Sequence, residues 1–367
     1  MALLNRFFAS RWAVIVTGAV TGTLAALLVH AGNPGNMGFC TACFLRDIAG
    51  AVGLHRAAVV QYIRPEIIGV VLGAAFAAIL FGEFKPRNGS APVVRFVLGM
   101  LGMIGALVFL GCTWRVYLRL GGGDWNAIPG ILGLIVGVFV GVQFFKLGYD
   151  PGRSRPARAG VGWVMPVLML AALALLIFEP KLGRNAGGEP AGPIFSSENG
   201  PGSQHAAVAL ALGVGLVIGF LAQRSRFCTI AGVRDFILMR DTHFTVGIVA
   251  LVLGALVTNL ALGQFKPGFT GQPVAHTDTL WNFAGMVLVG LAFTLAGGCP
   301  GRQLILAGEG DGDAAVMVLG MLVGAAFAHN FSLASSPAGP GAFGPAAIIV
   351  GLVVISLIGL GLRERVA

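Results

Sequence analysis

Ten apolar stretches of about 18 residues or more divide this chain, at 12–30, 65–82, 93–110, 127–145, 161–179, 205–222, 243–263, 281–298, 313–330 and 344–362. A helix of that length rises about 27–30 Å, enough to cross the hydrocarbon core of a bilayer. Backbone N–H and C=O groups in lipid have no water to bind, so segments of this kind satisfy them internally as helices. The pattern predicts an all-α polytopic membrane protein. Composition agrees: of 367 residues 56% are hydrophobic and only 11% charged, whereas a soluble domain carries roughly a quarter. A cytosolic enzyme, a DNA binder and a disordered tail are thereby excluded. The net charge of +9 reads as basic cytoplasmic loops rather than affinity for nucleic acid. No polar segment is long enough for a soluble catalytic domain, and no GxxxxGK[ST] loop points to nucleotide-driven pumping. The first stretch reads as a membrane helix rather than a cleavable signal, since no small-residue cleavage site precedes Gly32-Asn33-Pro34.

An internal repeat organises these spans. Phe39-Cys40-Thr41 with Arg46-Asp47 recurs as Phe227-Cys228-Thr229 with Arg234-Asp235, and Phe84-Lys85-Pro86 as Phe265-Lys266-Pro267. Gly111-Cys112 with Arg115 recurs as Gly298-Cys299 with Arg302, and Gly123-Asp124 as Gly310-Asp311. The displacements, 188, 181, 187 and 187 residues, keep order and spacing. The expected organisation is a first repeat at 1–180, a linker at 181–204 and a second repeat at 205–367. Five spans per half, an odd number, make the second half enter the membrane from the opposite side, an inverted-topology repeat familiar in transporters. An N-terminus inside puts 16 of the 24 Lys and Arg on the cytoplasmic side and 8 outside, so both termini are expected in the cytoplasm. Glycines at small-xxx-small spacing, among them Gly18 and Gly22, Gly69 and Gly73, Gly133 and Gly137, Gly215 and Gly219, and Gly320 and Gly324, predict close helix packing and nothing about substrate.

Four of the five cysteines, Cys40, Cys112, Cys228 and Cys299, fall in the repeated motifs, each just after an apolar span and each followed by arginine. The expected topology puts Cys40 and Cys112 toward the outside and Cys228 and Cys299 toward the inside. The segments after them are too short to span and read as re-entrant half-helices, tolerated at membrane depth only when buried or lining a cavity. If the chain after Cys112 is helical, Arg115 and Arg119 share a face with the thiol. Pro300 suits the first position of a helix and makes Cys299 its cap, where free N–H groups favour an anion. A bare anion in hydrocarbon costs tens of kcal/mol, so a permeating one needs fixed donors along its route. Arg46, Arg115, Arg119, Arg234 and Arg302 are candidate counter-charges, and thiols add weak donors and a soft, polarisable surface suited to a chalcogen anion. Covalent loading of a thiolate is the alternative. Asp47 and Asp235 are read as ion-pair partners, helix caps or proton carriers, and Glu309, Asp311 and Asp313 as a solvated turn. Cys40 and Cys43 form a CxxC, but Ala231 stands where the second half would carry a second cysteine. His276, Asp278 and His329 are too scattered for a metal site, and no cofactor is expected.

Through these motifs the sequence resembles the YeeE/YedE sulfur-transport family of bacterial inner-membrane proteins, especially its YedE branch, associated with selenium metabolism. The resemblance rests on GNMGFCTACFLRD ending at Asp47, FKP, QRSRFCTIAGVRDF (223–236), GQFKPGF, GQPVAHTD (271–278) and LAGGCPGRQ (295–303). It implies an hourglass of inverted halves in which thiols pass an anion along, with Cys40, Cys112 and Cys299 as relay candidates and Cys228 as their repeat partner. Cys112-Thr113 departs from the family's usual Cys-Pro, although Thr113 can itself cap a helix. The resemblance also implies a small cytosolic sulfur carrier of the TusA/SirA type as a partner, docking near Cys299 and Arg302. The favoured reading is import of a small inorganic selenium or sulfur anion, a selenium species or thiosulfate. A membrane thiol oxidoreductase using Cys40 and Cys43 and a non-transporting anchor for selenium or sulfur metabolism are the alternatives. The oxidoreductase requires Cys43 as much as Cys40; the transporter tolerates its loss.

Overall fold

A computed structural model describes residues 6–178 and 194–363. Residues 181–193 of the expected linker, the last residue of the stretch expected at 161–179 and both extreme termini lie outside them. Among the described residues fourteen helices account for nearly all regular structure: α1 (Arg11–His30), α2 (Thr41–Ala51), α3 (Pro65–Leu80), α4 (Pro92–Phe109), α5 (Arg115–Gly121), α6 (Ala127–Lys146) and α7 (Ala159–Ile177), then α8 (Val208–Ser225), α9 (Thr229–Met239), α10 (Thr245–Ala261), α11 (Thr279–Leu295), α12 (Pro300–Gly308), α13 (Gly312–Asn330) and α14 (Gly344–Gly361). Two-residue strands at Arg87–Asn88 and Arg155–Pro156 pair antiparallel. The protein is an all-α polytopic membrane protein. Among the described residues eight helical segments are long and apolar enough to cross a membrane, and Pro65–Leu80 and Thr245–Ala261 are shorter apolar helices. Those two, with 16 and 17 residues, rise only about 24–26 Å.

Long helices of the first half pack mainly on long helices of the second: α1 on α10, α3 on α8, α4 on α13 and α6 on α11. The glycine rows make this contact. A Cβ on Gly137 of α6 would lie 2.1 Å from the Val287 carbonyl oxygen of α11, and one on Gly219 of α8 would lie 2.2 Å from that of Val70 on α3. No side chain fits at such an approach, and backbones this close gain dispersion contacts that lipid does not provide.

The repeated FKP segments cross between the halves in the same way. Lys85 N–H donates to the Glu309 carbonyl and Arg87 N–H to that of Gly310, while Lys266 N–H donates to the Gly122 carbonyl and Gly268 N–H to that of Gly123. Each half thus pins the turn that follows the other half's short helix. Of the four short helices that follow the cysteine motifs, α2, α5 and α12 sit inside the bundle of long ones, while α9 buries its first turn and exposes Phe236, Leu238 and Met239 near its end.

Candidate functional site: two thiol clusters meeting at a waist

All five cysteines are free and buried. Cys40, Cys228 and Cys299 are the N-caps of α2, α9 and α12, and each thiol accepts the backbone N–H three residues on: Cys43 N at 3.2 Å, Ala231 N at 3.5 Å and Arg302 N at 3.3 Å. A sulfur stands where serine or aspartate usually caps, so each is held at the end of a helix where unpaired N–H groups and the positive dipole end gather. Pro300 takes the first turn of α12, as its fixed φ and missing donor allow. Cys112 lacks such a following proline. The helix after it, α5, starts only at Arg115 with Trp114 as its cap, and Thr113 does not cap.

The cysteines form two clusters. In the first, Cys40 lies against both Cys43 and Cys112. In the second, Cys299 N–H donates to Cys228 Sγ at 3.3 Å, and the two thiols face each other. Between the clusters Thr229 Oγ1 donates to Thr113 Oγ1 at 2.8 Å, both side chains being fully buried. Each threonine follows a cysteine in sequence, so this contact joins the two halves where the clusters approach. Trp114 packs beside it, with ring centroids 5.7 Å from Phe39 and 5.6 Å from Phe227, the residues preceding Cys40 and Cys228.

The arginines divide into two kinds. Arg115 is the one guanidinium hydrogen-bonded to a thiol among the described residues: Nη1 reaches Cys43 Sγ at 3.3 Å and the Leu110 carbonyl, Nε the Asn36 carbonyl at 2.7 Å, and Nη2 that of Val274 at 3.0 Å. The others are held by carboxylates. Arg46 pairs with Asp47 at 2.7 Å, Arg234 with Asp235 at 2.7 Å and Arg302 with Glu309 at 3.1 Å. Arg119 does not converge on a thiol with Arg115 as expected. Its Nε binds Asp124 at 2.6 Å and its Nη1 the Phe109 carbonyl at 3.0 Å, because Gly123 turns the chain after α5 and brings Asp124 back onto it. Asp47 is shared with Arg64, whose Nε lies 2.7 Å away.

The turn expected to be solvated at Glu309, Asp311 and Asp313 is largely buried, with Glu309 and Asp313 each 2% exposed. Glu309 gathers Arg87, Arg226 and Arg302, Asp311 binds Arg87 and caps α13, and Asp313 accepts the N–H groups of Gly89 and Ser90. Carboxylates this close to the hydrocarbon need donors, and Arg87, Gly89 and Ser90 of the other half supply them together with Arg226 and Arg302.

Two cavities are lined by residues near the motif segments, and neither lining includes a cysteine. One of about 100 Å³ is lined by Asn36, Asn259, Gln264, Lys266 and Gln272 among others, and opens beside the Asn36 carbonyl that holds Arg115. The other, about 360 Å³, is lined by Phe8, Phe81, Glu83, Arg224 and Arg226. Glu83 is partly desolvated there, but hydrogen bonds from Gln223 and Arg224 and the charge of Arg226 outweigh this and hold its pKa below the usual carboxylate range. On the first side burial, helped by the charge of Arg119, lowers the pKa of His276, and the ring binds the Val108 carbonyl at 2.8 Å. No group of three or more His, Cys, Asp or Glu able to hold a metal occurs among the described residues.

Cys43, set apart in sequence by its missing counterpart, is thus the thiol that Arg115 reaches. Sequence reasoning passed over Arg64 and Trp114. A charged residue immediately before Pro65 and an apolar span was the available signal for Arg64; for Trp114 it was the repeat alignment, which pairs it with Gly301.

Long apolar helices thus enclose five buried thiols carried at or beside short helices. Residues 224–354, from the end of α8 into α14 and including Cys228 and Cys299, match the family model Sulf_transp, described as Sulphur transport. Over that range the chain is similar to the YeeE/YedE sulfur-transport family to which the motifs point, and the match supports a role in sulfur transport. No curated protein matches the chain.

Proposed function

We propose that this protein imports a small sulfur oxyanion of the thiosulfate class across the bacterial inner membrane, along a path through Cys40, Cys112, Cys228 and Cys299. The observation that carries the reading is the meeting of the two thiol clusters at the Thr113–Thr229 hydrogen bond, with one cavity lined in part by Asn36, Lys266 and Gln272 and another by Glu83, Arg224 and Arg226. An anion leaving water meets donors at each stage: the lysine and amides of the first cavity, the Arg115 guanidinium, the thiols and helix N-termini, and then Arg302 with Arg224 and Arg226. The thiols act as hydrogen-bond donors of low polarity, and no bond to sulfur is made or broken. Arg46, Arg119 and Arg234, bound to the neighbouring carboxylates Asp47, Asp124 and Asp235, hold the short helices in place.

In this reading residues 1–180 and 205–367 form inverted repeats with both termini cytoplasmic, so that the Lys266 cavity faces outward and the Arg226 cavity inward. A cytosolic carrier of the TusA/SirA type would receive the anion near Arg302. The test is uptake of radiolabelled thiosulfate and selenite into proteoliposomes by the unaltered protein, Cys112→Ala and Cys299→Ala. Saturable thiosulfate uptake lost in both variants is the expected result, and selenite preference would move the substrate to selenium. Uptake by neither label in folded, inserted protein would overturn the reading.

A further inference from the structure

Trp114 and Gly301 occupy equivalent positions of the two repeats, 187 residues apart, each two residues after a motif cysteine. The structure brings these two positions against each other. A Cβ on Gly301 would lie 2.7 Å from Cζ2, 2.8 Å from Cε2 and 3.2 Å from Nε1 of Trp114. Residues related by a two-fold axis touch each other only when both lie near that axis, so a large residue in one half and none in the other is what lets a single ring occupy the centre. Phe39 and Phe227, themselves repeat equivalents, flank the ring from either side, and the neighbouring Thr113 makes the contact between the halves. Trp114 is fully buried, and its Nε1–H has no hydrogen-bond partner. Buried indole N–H groups ordinarily find one, and leaving a donor unpaired is costly.

Resting on the transport reading above, we propose that Trp114 is the waist of the path: its ring separates the two thiol clusters, and its Nε1–H is a binding donor for the permeating oxyanion. An indole donor is neutral, so it holds an anion without the carboxylate that a buried arginine brings with it. Gly301 is a positioning residue, since any side chain there displaces the indole edge.

The experiment compares wild type, Trp114→Phe and Gly301→Ala in thiosulfate uptake by proteoliposomes, together with thiosulfate titration of intrinsic fluorescence in detergent. Phenylalanine keeps an aromatic plug and removes the donor. Trp114→Phe is expected to raise the half-saturation concentration about tenfold, the loss of one charge-assisted hydrogen bond, and to abolish the part of the fluorescence response that belongs to Trp114. Gly301→Ala should weaken half-saturation and alter that response with Trp114 still present. Unchanged half-saturation in correctly inserted Trp114→Phe overturns the proposal, and should that variant fail to insert, unchanged half-saturation in Gly301→Ala does so. Wild type without uptake but with a Trp114-dependent fluorescence response would overturn transport and keep the binding donor; wild type with neither overturns both.

Discussion

Asp47 and Asp235 occupy equivalent places in the two RD motifs, yet the structure assigns their removal very different costs. Asp47 Oδ1 accepts two bonds from Arg46, at 2.9 and 2.7 Å, and Oδ2 accepts Arg64 Nε at 2.7 Å, all three side chains being 2% exposed or less. Arg64 is fixed further by the Gln204 and Pro201 carbonyls and by the faces of Phe44 and Tyr62. In Asp47→Asn two buried guanidiniums lose their only shared carboxylate, and breaking such a buried pair costs about 3–5 kcal/mol. Asp235 holds only Arg234, whose side chain is 24% exposed, so water replaces the lost partner and Asp235→Asn costs about 1 kcal/mol or less. At about 2 °C per kcal/mol for a large domain, Asp47→Asn should lower the Tm by about 6–10 °C and Asp235→Asn by about 2 °C or less. The assay is thermal unfolding of purified protein in detergent, followed by tryptophan fluorescence. Equal shifts, or a shift for Asp47→Asn below about 2 °C, would refute the argument from burial. Thiosulfate uptake per folded molecule should survive in Asp47→Asn, because a paired carboxylate is structural; loss of uptake with normal stability would instead make Asp47 a proton carrier.

Thr113→Val and Thr229→Val each remove one partner of a buried 2.8 Å bond and should each cost about 1–2 kcal/mol, with the double variant no worse than the more damaging single one when unfolding is measured as a cycle. Gly137→Ala forces a Cβ to within 2.1 Å of the Val287 carbonyl oxygen and should lower stability by about 1–3 kcal/mol, whereas Gly213→Ala, with nothing within 4 Å, should be neutral or slightly stabilising. Burial, reinforced by the charge of Arg46 at His55 and of Arg119 at His276, lowers both histidine pKa values. The unfolded chain therefore binds more protons below the ordinary histidine range, and thermal stability should fall between pH 7 and pH 5, less steeply in His276→Asn.

The spans were legible because hydrophobic length alone determines them: 127–145 became Ala127–Lys146 and 313–330 became Gly312–Asn330. The cap at Cys299 was legible because Pro300 excludes other placements. The arginines were less so. Arg46, Arg115 and Arg302 look alike in the motifs, and only the fold reveals that two of them face carboxylates while Arg115 faces a thiol and three backbone carbonyls. The Glu309 turn misled because its counter-charges are distant in sequence, Arg87 arriving from the other repeat and Arg226 from before α9. Nor does periodicity reveal that the FKP segments exchange between halves, since a repeat pairs each motif as readily with its own half as with the other.

The two cavities differ in a way the repeat makes easy to read. Asn36 and Gln264 of the first correspond to Arg224 and Glu83 of the second, at displacements of 188 and 181 residues. The first cavity thus offers an anion amides and the Lys266 ammonium with no carboxylate in its lining, while the second offers two arginines already engaged by Glu83, at 2.8 Å each. A path must bind firmly enough to admit an ion and weakly enough to release it, and a carboxylate beside the arginines weakens their hold on an anion. Since its pKa is held below the usual carboxylate range, Glu83 is ionised at neutral pH and performs this role there. Glu83→Gln removes the carboxylate shared by both guanidiniums and leaves Arg226 held by Glu309 alone. In the proposed orientation it should slow release on the cytoplasmic side, lowering the half-saturation concentration and the maximal rate of thiosulfate uptake together, whereas loss of a merely structural ion pair would lower the maximal rate alone. An unchanged half-saturation concentration in folded Glu83→Gln would remove Glu83 from the exit.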